Sequence, residues 1–167
     1  MLKNSKTIIY LLSLVLLLGC GQKAESPAGM LDKAKTEIDE SRFTDATQLL
    51  RKLVEQYPES PEAAEAQYIL GDTFLSAAKD FEQAISEYRL VVSKYPESRF
   101  AVNAQFMIGY IFANFLIDVE LARNEYNRFL ELYSDKADSG LVQSVRFELQ
   151  NLGKDLNDIH QLRHITS

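Results

Sequence analysis

Residues 81–98 read FEQAISEYRLVVSKYPES, and 38 positions earlier residues 43–60 read FTDATQLLRKLVEQYPES. The two segments place aromatic, small and aliphatic residues alike, and both end in Tyr-Pro-Glu-Ser. A fainter third copy lies 38 positions later, at Val119, Ala122, Tyr126, Phe129, Leu130, Tyr133 and Ser134. A fixed period of this length is typical of a solenoid, in which each helical hairpin buries its apolar face against its neighbours. Proteins of this class mostly bind other molecules.

Each copy has the apolar spacing of an α-helix. In the second copy the stripe consists of Phe81, Ala84, Ile85, Tyr88, Val91, Val92 and Tyr95. We expect Asp80 and Gln83 to form a capping box at the start of this helix, and Pro96 to end it. Ser60 should cap the next helix, with Pro61 at its first position. Because no segment alternates apolar and polar residues, strands are not predicted.

The helix before each of these segments carries a small residue followed by an aromatic one. The patterns are Leu70-Gly71-x-x-Phe74 and Ile108-Gly109-x-x-Phe112. Glycine at this place lets two antiparallel helices approach closely. The pattern resembles the tetratricopeptide repeat, W-x-x-L-G-x-x-Y followed by A-x-x-x-F and a proline. Gln67 and Gln105 replace its tryptophan, and Ala34 stands for the glycine in the first copy.

We therefore predict an all-α fold, a tetratricopeptide-repeat α-solenoid of about three helical hairpins, over residues 29–157. Residues 138–157 carry helically spaced apolar positions without a partner helix to follow, which is typical of a C-terminal capping helix. Residues 158–167 are expected to form a solvated tail. An unrelated antiparallel helix bundle is the alternative, which the common register of three copies disfavours.

Residues 1–19 have the features of a secretory signal peptide. Lys3 and Lys6 precede the 11-residue, mostly apolar stretch Ile8–Leu18, which is shorter than the roughly 20 residues of a spanning helix. The sequence Leu-Leu-Gly-Cys that ends at Cys20 resembles the lipobox of bacterial lipoproteins, which implies cleavage before Cys20 and its acylation. A conventional signal peptide followed by a chance cysteine is the alternative.

Lipidation at Cys20 uses the only cysteine of the chain, so an internal disulfide is not expected. The resemblance to lipoproteins implies attachment to the outer membrane facing the periplasm, because Gly21 and not aspartate follows the cysteine. Residues 20–28 are small and polar and predict a flexible tether.

The repeat resembles two periplasmic families in particular. Residues 66–72 read AQYILGD, residues 104–109 read AQFMIG and residues 95–98 read YPES. Over residues 28–157 this is similar to the BamD-like outer-membrane assembly lipoproteins and to the repeat domain of YbgF-type Tol-Pal proteins. The first resemblance implies a scaffold for β-barrel insertion, and the second implies an envelope-structure or cell-division adaptor. YbgF-type proteins usually carry a coiled-coil segment before the repeats, whereas BamD-like proteins share the N-terminal lipidated cysteine.

The charge of the chain disfavours a nucleic-acid partner. Its formal net charge is −6, and without residues 1–19 it holds 16 basic and 24 acidic residues, a charge of −8. Nucleic-acid binding requires a basic face. Expected partners are instead other envelope proteins or peptide segments, and the membrane through the anchor.

Positions on the first helices that should line a concave groove follow from the register of Gly71 and Gly109. They are Glu65, Tyr68, Asp72, Leu75, Asn103, Phe106, Tyr110 and Asn114. Aromatic anchors beside carboxylates and amides suit a peptide segment. Core packing is an equal alternative for Tyr68 and Phe106, whereas Tyr110 and Asn114 are expected to be exposed.

We do not expect the chain to be an enzyme, nor to bind a cofactor, a metal or a small-molecule substrate. His160 and His164 have the i, i+4 spacing of a zinc-binding helix, but Gln161 replaces the glutamate base of the H-E-x-x-H motif. No glycine-rich phosphate loop or nucleophile elbow is visible.

Overall fold

A computed structural model describes residues 25–154 of the chain. These residues form seven α-helices and no strand. The helices are α1 Pro27–Asp39, α2 Phe43–Gln56, α3 Ala63–Thr73, α4 Phe81–Lys94, α5 Arg99–Asn114, α6 Val119–Tyr133 and α7 Ser139–Asn151, with a π-helical turn Phe74–Ala78 after α3. Helices α1 and α2, α3 and α4, and α5 and α6 form three successive hairpins, and α7 packs on α6. The predicted all-α solenoid is confirmed.

The hairpin turns repeat the period of the sequence. Ser41, Lys79 and Ile117 lie 38 residues apart, and each adopts a left-handed backbone, with φ of 61°, 55° and 54°. Asp80 and Asp118 then cap α4 and α6 by accepting hydrogen bonds from the backbone N–H groups of Gln83 and Leu121, the third residue of each helix. All three hairpins therefore share the left-handed residue at the turn, whereas α2 begins after Arg42 without a side-chain cap.

Buried side chains form two clusters that follow the hairpins. One cluster lies between α1, α2 and α3, and the other runs from α4 to α7. Phe74 packs against both clusters and so connects them. The last helix contributes Val142 and Val145, which are buried as expected for a capping helix, while Leu156 lies outside the described residues.

Glycines in the first helices lie where two helices touch, as predicted. A Cβ atom at Gly71 would lie 2.6 Å from Cε1 of Tyr88, and one at Gly109 would lie 2.6 Å from Cδ1 of Tyr126. Both tyrosines are fully buried. No larger residue fits at either glycine without displacing an aromatic ring.

Two predicted helix starts differ in detail. Helix α1 begins at Pro27, two residues before the expected boundary, because Ser26 caps it by accepting from the N–H of Gly29. Ser60 does not cap α3, and its hydroxyl has no hydrogen-bond partner among the described residues. Pro61 does not occupy the first helical position, because Pro61 and Glu62 form a turn and the helix begins at Ala63.

The capping box of α4 is only half formed. Asp80 accepts from the N–H of Gln83 as expected, at 3.0 Å. The side chain of Gln83 does not reach back to Asp80, since it donates to Glu87 at 2.7 Å. The side-chain amide of Gln83 therefore binds Glu87, a buried acceptor on the same helix, and does not complete the capping box.

Candidate peptide-binding groove

The eight predicted groove residues lie on α3, on α5 and in the π-helical turn after α3. Helices α3 and α5 contact each other, so the two sets form neighbouring rows. Glu65, Tyr68 and Asp72 lie 38 residues before Asn103, Phe106 and Tyr110, whereas Leu75 lies 39 residues before Asn114. Six of the eight side chains are partly buried, and Asn103 and Asn114 are exposed.

The aromatic residues form the floor of this surface. The ring of Tyr68 lies 5.4 Å from that of Tyr88 and 5.6 Å from that of Phe100, measured between centroids. Phe106 lies 6.1 Å from both Tyr110 and Tyr126. Tyr68 and Phe106 thus pack on the core with one side and remain partly accessible on the other. They can offer rigid apolar area to a ligand at little entropic cost.

Asp72 binds a buried tyrosine of the next helix. The hydroxyl of Tyr88 donates to Oδ1 of Asp72 at 2.5 Å. Burial raises the pKa of Asp72, and the hydrogen bond from Tyr88 offsets only part of that effect. Burial, together with the neighbouring carboxylate, also raises the pKa of Tyr88 well above its usual range. The carboxylate keeps a second oxygen with which it could accept a hydrogen bond from a ligand.

The polar residues at the edge of the surface are partly engaged within the chain. Glu65 accepts from Nζ of Lys35 on α1 at 2.6 Å. Asn114 donates to the backbone carbonyl of Tyr110 at 3.0 Å. Tyr110, which the sequence predicts to be exposed, is half-buried because it packs between Phe106 and Phe115. Leu75 packs against the core and offers only part of its side chain.

A pair of buried polar clusters was not foreseen from the sequence. In one, Glu87 accepts from the amide of Gln67 and lies 3.9 Å from Arg51. In the other, Glu125 accepts from Gln105 at 2.9 Å and from Arg89 at 3.0 Å.

Each member of the second cluster lies 38 residues after its equivalent, and the glutamates and glutamines are buried. The sequence signal was the glutamine at the tryptophan position, because a buried amide needs an acceptor.

Several predicted functional residues lie outside the described residues, namely Cys20, His160 and His164. Within residues 25–154, no group of three or more His, Cys, Asp or Glu side chains could hold a metal ion. No helix of that same region is long and apolar enough to cross a membrane.

Comparison with known families shows the family of the chain. The YfiO family, described as an outer membrane lipoprotein, matches residues 21–134. The chain belongs to this family. Its repeats are thus those of a BamD-like tetratricopeptide-repeat lipoprotein, as the AQYILGD and YPES motifs had suggested. None of the curated proteins matches the chain.

Proposed function

We propose that the chain is a lipid-anchored periplasmic scaffold that holds segments of other envelope proteins, as an accessory component of outer-membrane protein assembly. The observation that carries this proposal is the double row of partly buried aromatic and polar side chains on α3 and α5. Tyr68 and Phe106 supply apolar area, and Asp72 and Asn103 supply polar groups beside them. Family membership supports the envelope location.

An extended or helical peptide segment fits such a surface. Apolar pockets between the rings would supply most of the affinity, and the polar side chains would fix the register of the segment. The role requires no catalytic chemistry, since the scaffold acts by bringing partners together.

The groove is tested by Tyr110→Ala combined with Asn114→Ala. These changes remove a half-buried ring and a polar group at one end of the surface, and single interface anchors contribute about 2 kcal/mol or more. Envelopes are crosslinked, the full-length protein is purified, and its partners are quantified by mass spectrometry. We expect the main partners to be reduced at least about tenfold, with unchanged helix content by circular dichroism.

The matched control is Arg123→Ala with Asn127→Ala, two exposed positions on α6. Equal partner yields for the groove variant and this control would mean that binding uses another face. Recovery of barrel-assembly proteins supports the proposed role, whereas recovery of Tol-Pal components, peptidoglycan or only further copies of the chain contradicts it.

The anchor is tested separately by Cys20→Ser. Lipidation requires the thiol, so the variant should lose fatty-acid labelling and either leave the membrane fraction or retain its signal peptide. Unchanged membrane attachment and unchanged labelling would disprove lipidation at this residue. Loss of the anchor with intact partner binding would leave the groove proposal standing.

A further inference from the structure

The turn between α5 and α6 exposes a contiguous group of apolar side chains. They are Phe115, Leu116, Ile117, Val119 and Leu121, and we refer to them as the apolar tip. Ile117 is the most exposed, at 68%. Single exposed apolar residues are ordinary, but a contiguous group marks a surface that contacts something else.

The equivalent turns of the other hairpins are more polar. Ser41 and Lys79 occupy the left-handed position that Ile117 occupies in the third hairpin. A β-branched residue is poorly suited to a left-handed backbone, which costs L-residues roughly 1–2 kcal/mol. Neither local conformation nor hydration favours isoleucine at this place. A contact that buries its side chain would favour isoleucine there.

The apolar tip is held in place by the hairpin beneath it. The ring of Phe115 stacks on Phe81 with centroids 4.8 Å apart, and its edge meets Tyr110 at 5.9 Å. The surface is therefore preformed, so that a ligand would not have to order it on binding.

The chain itself passes beside this surface after its last described helix. Gly153 adopts a left-handed backbone with φ of 79°, and a Cβ atom there would lie 3.4 Å from Cγ2 of Val119. Residues 155–167 continue from this point and read DLNDIHQLRHITS. Even in a helical conformation, 13 residues would span about 20 Å, which is enough to cross the apolar tip.

The composition of residues 155–167 complements the apolar tip. Apolar residues recur at every third position, at Leu156, Ile159, Leu162 and Ile165. The positions between them carry both signs of charge, with Asp155 and Asp158 as well as Arg163, and the titratable side chains of His160 and His164. Asp118 and Glu120 lie among the residues of the apolar tip, so it is the apolar spacing of the segment and not its net charge that matches this surface.

A membrane is a poorer occupant of the same surface. The apolar tip lies at the ends of the first helices, whereas the tether enters at Pro27, at the start of α1 and about 20 Å away along that helix. The acidic side chains around the apolar tip would also be repelled by anionic lipids.

We propose that residues 156–165 dock on the apolar tip of the same chain, with Leu156, Ile159 and Leu162 covering Ile117 and Val119. Because the segment is covalently attached next to the surface, its effective concentration there is high. The docked segment shields an apolar surface that would otherwise promote association between copies of the chain.

The test uses photocrosslinking in the full-length protein. Benzoylphenylalanine replaces Ile117, the protein is extracted in detergent and irradiated, and tryptic peptides are analysed by mass spectrometry. We expect a crosslink between residues 100–123 and residues 155–163. The same probe at Lys79, the equivalent left-handed position of the second hairpin, should not reach that segment.

A pair of tail variants then tests which side chains dock. Ile159→Asp with Leu162→Asp should abolish the crosslink, because two charged groups would have to be buried. Asp158→Asn with Gln161→Asn, at intervening polar positions, should retain it. Retention in the first variant would contradict docking through the apolar residues.

Mixing isotope-labelled and unlabelled protein before irradiation tests whether something else occupies the apolar tip. Crosslinks that join labelled to unlabelled peptides would place a second copy on the apolar tip, and crosslinks to acyl chains would place lipid there. Either result, or a crosslink pattern without residues 155–163, would overturn the proposal.

Discussion

The second and third hairpins use the same internal contacts but differ on their surfaces. In both, a glycine of the first helix lies against a buried tyrosine of the second, and a glutamine is paired with a buried glutamate. In the second hairpin the hydroxyl of Tyr88 donates to Asp72. In the third, Tyr110 replaces the aspartate, and the buried hydroxyl of Tyr126 has no partner among the described residues.

Positions that hold the hairpins together are the same in both, whereas positions at the surface differ. Contacts between helices recur with the 38-residue period because the two helices of each hairpin pack against each other in the same way. The groove and the turn change from Asp72 and Lys79 to Tyr110 and Ile117, which makes the third hairpin the more apolar one. A partner that contacts both hairpins would therefore meet an acidic half, with Glu65 and Asp72, and an uncharged half, with Phe106 and Tyr110.

The largest effects are expected at the two glycines. Gly71→Ala and Gly109→Ala each push a Cβ atom into a tyrosine ring, and overpacking of this kind destabilises by about 1–3 kcal/mol. Gly71→Ala should cost more, because a hydrogen bond to Asp72 also restrains Tyr88, whereas the hydroxyl of Tyr126 has no such partner among the described residues. Urea denaturation of the full-length chain in detergent gives the two midpoints.

Gly29→Ala is the control for both glycine variants. Its Cβ atom would meet only the side chains of Ser26 at 3.2 Å and Glu25 at 3.8 Å, near the exposed start of α1. We expect little change there. Wild-type midpoints for Gly71→Ala and Gly109→Ala would show that the helices do not touch at the glycines.

The next largest effects on stability are expected when single hydroxyl groups are removed, and these effects should differ between the two hairpins. Tyr88→Phe deletes a hydrogen bond to a carboxylate, which is worth about 1.5–3 kcal/mol, and leaves Asp72 without its donor. Tyr126→Phe deletes a buried hydroxyl without a partner among the described residues, so stability should stay equal or rise. Thermal melts of the two variants provide the measurement, and equal losses would mean that Tyr126 has an acceptor after all.

The smallest effect is a dependence on pH that arises from Asp72 in the second hairpin. The pKa of Asp72 is raised above its usual value of 3.8, so the folded chain holds this proton more tightly than the unfolded chain. The resulting stabilisation is complete below pH 3.8 and is lost as the pH rises through the folded-state pKa. Wild type should therefore gain stability relative to Asp72→Asn between pH 7 and pH 4.

Denaturation of wild type and Asp72→Asn across this range measures the difference. Tyr110→Phe, which changes the equivalent position without removing a carboxylate, should follow wild type in parallel. A constant difference between wild type and Asp72→Asn would indicate that Asp72 titrates alike in the folded and unfolded chains.

The period of the sequence predicted the helices because local spacing and repeated packing agree. Gly71 and Gly109 were assigned correctly, since only a close helix contact explains a small residue next to an aromatic one. Burial of Glu87 and Glu125 was missed, because a glutamate on an amphipathic helix usually faces solvent. Only the structure brings these carboxylates next to Gln67 and Gln105.

The groove was predicted less completely than the fold. Helical register placed Tyr68, Asp72 and Phe106 on one surface, but register does not reveal how deeply each side chain is covered by the following hairpin. Tyr110 is half-buried because Phe115 folds back on it, and that contact depends on the turn conformation. The apolar tip was not predicted, because the repeat pattern describes contacts between helices and not the exposure of a turn.

The two buried polar clusters also affect how cooperatively the solenoid should unfold. Arg51 and Arg89 each reach from the second helix of one hairpin to the glutamate of the next, so unfolding one hairpin removes a charge partner from its neighbour. In the third hairpin the position equivalent to Arg51 and Arg89 is occupied by Asn127, an exposed residue on α6 that carries no charge. The three hairpins are thus expected to unfold as one cooperative unit, with α7 fraying earlier, and amide hydrogen exchange should report two rates along the chain.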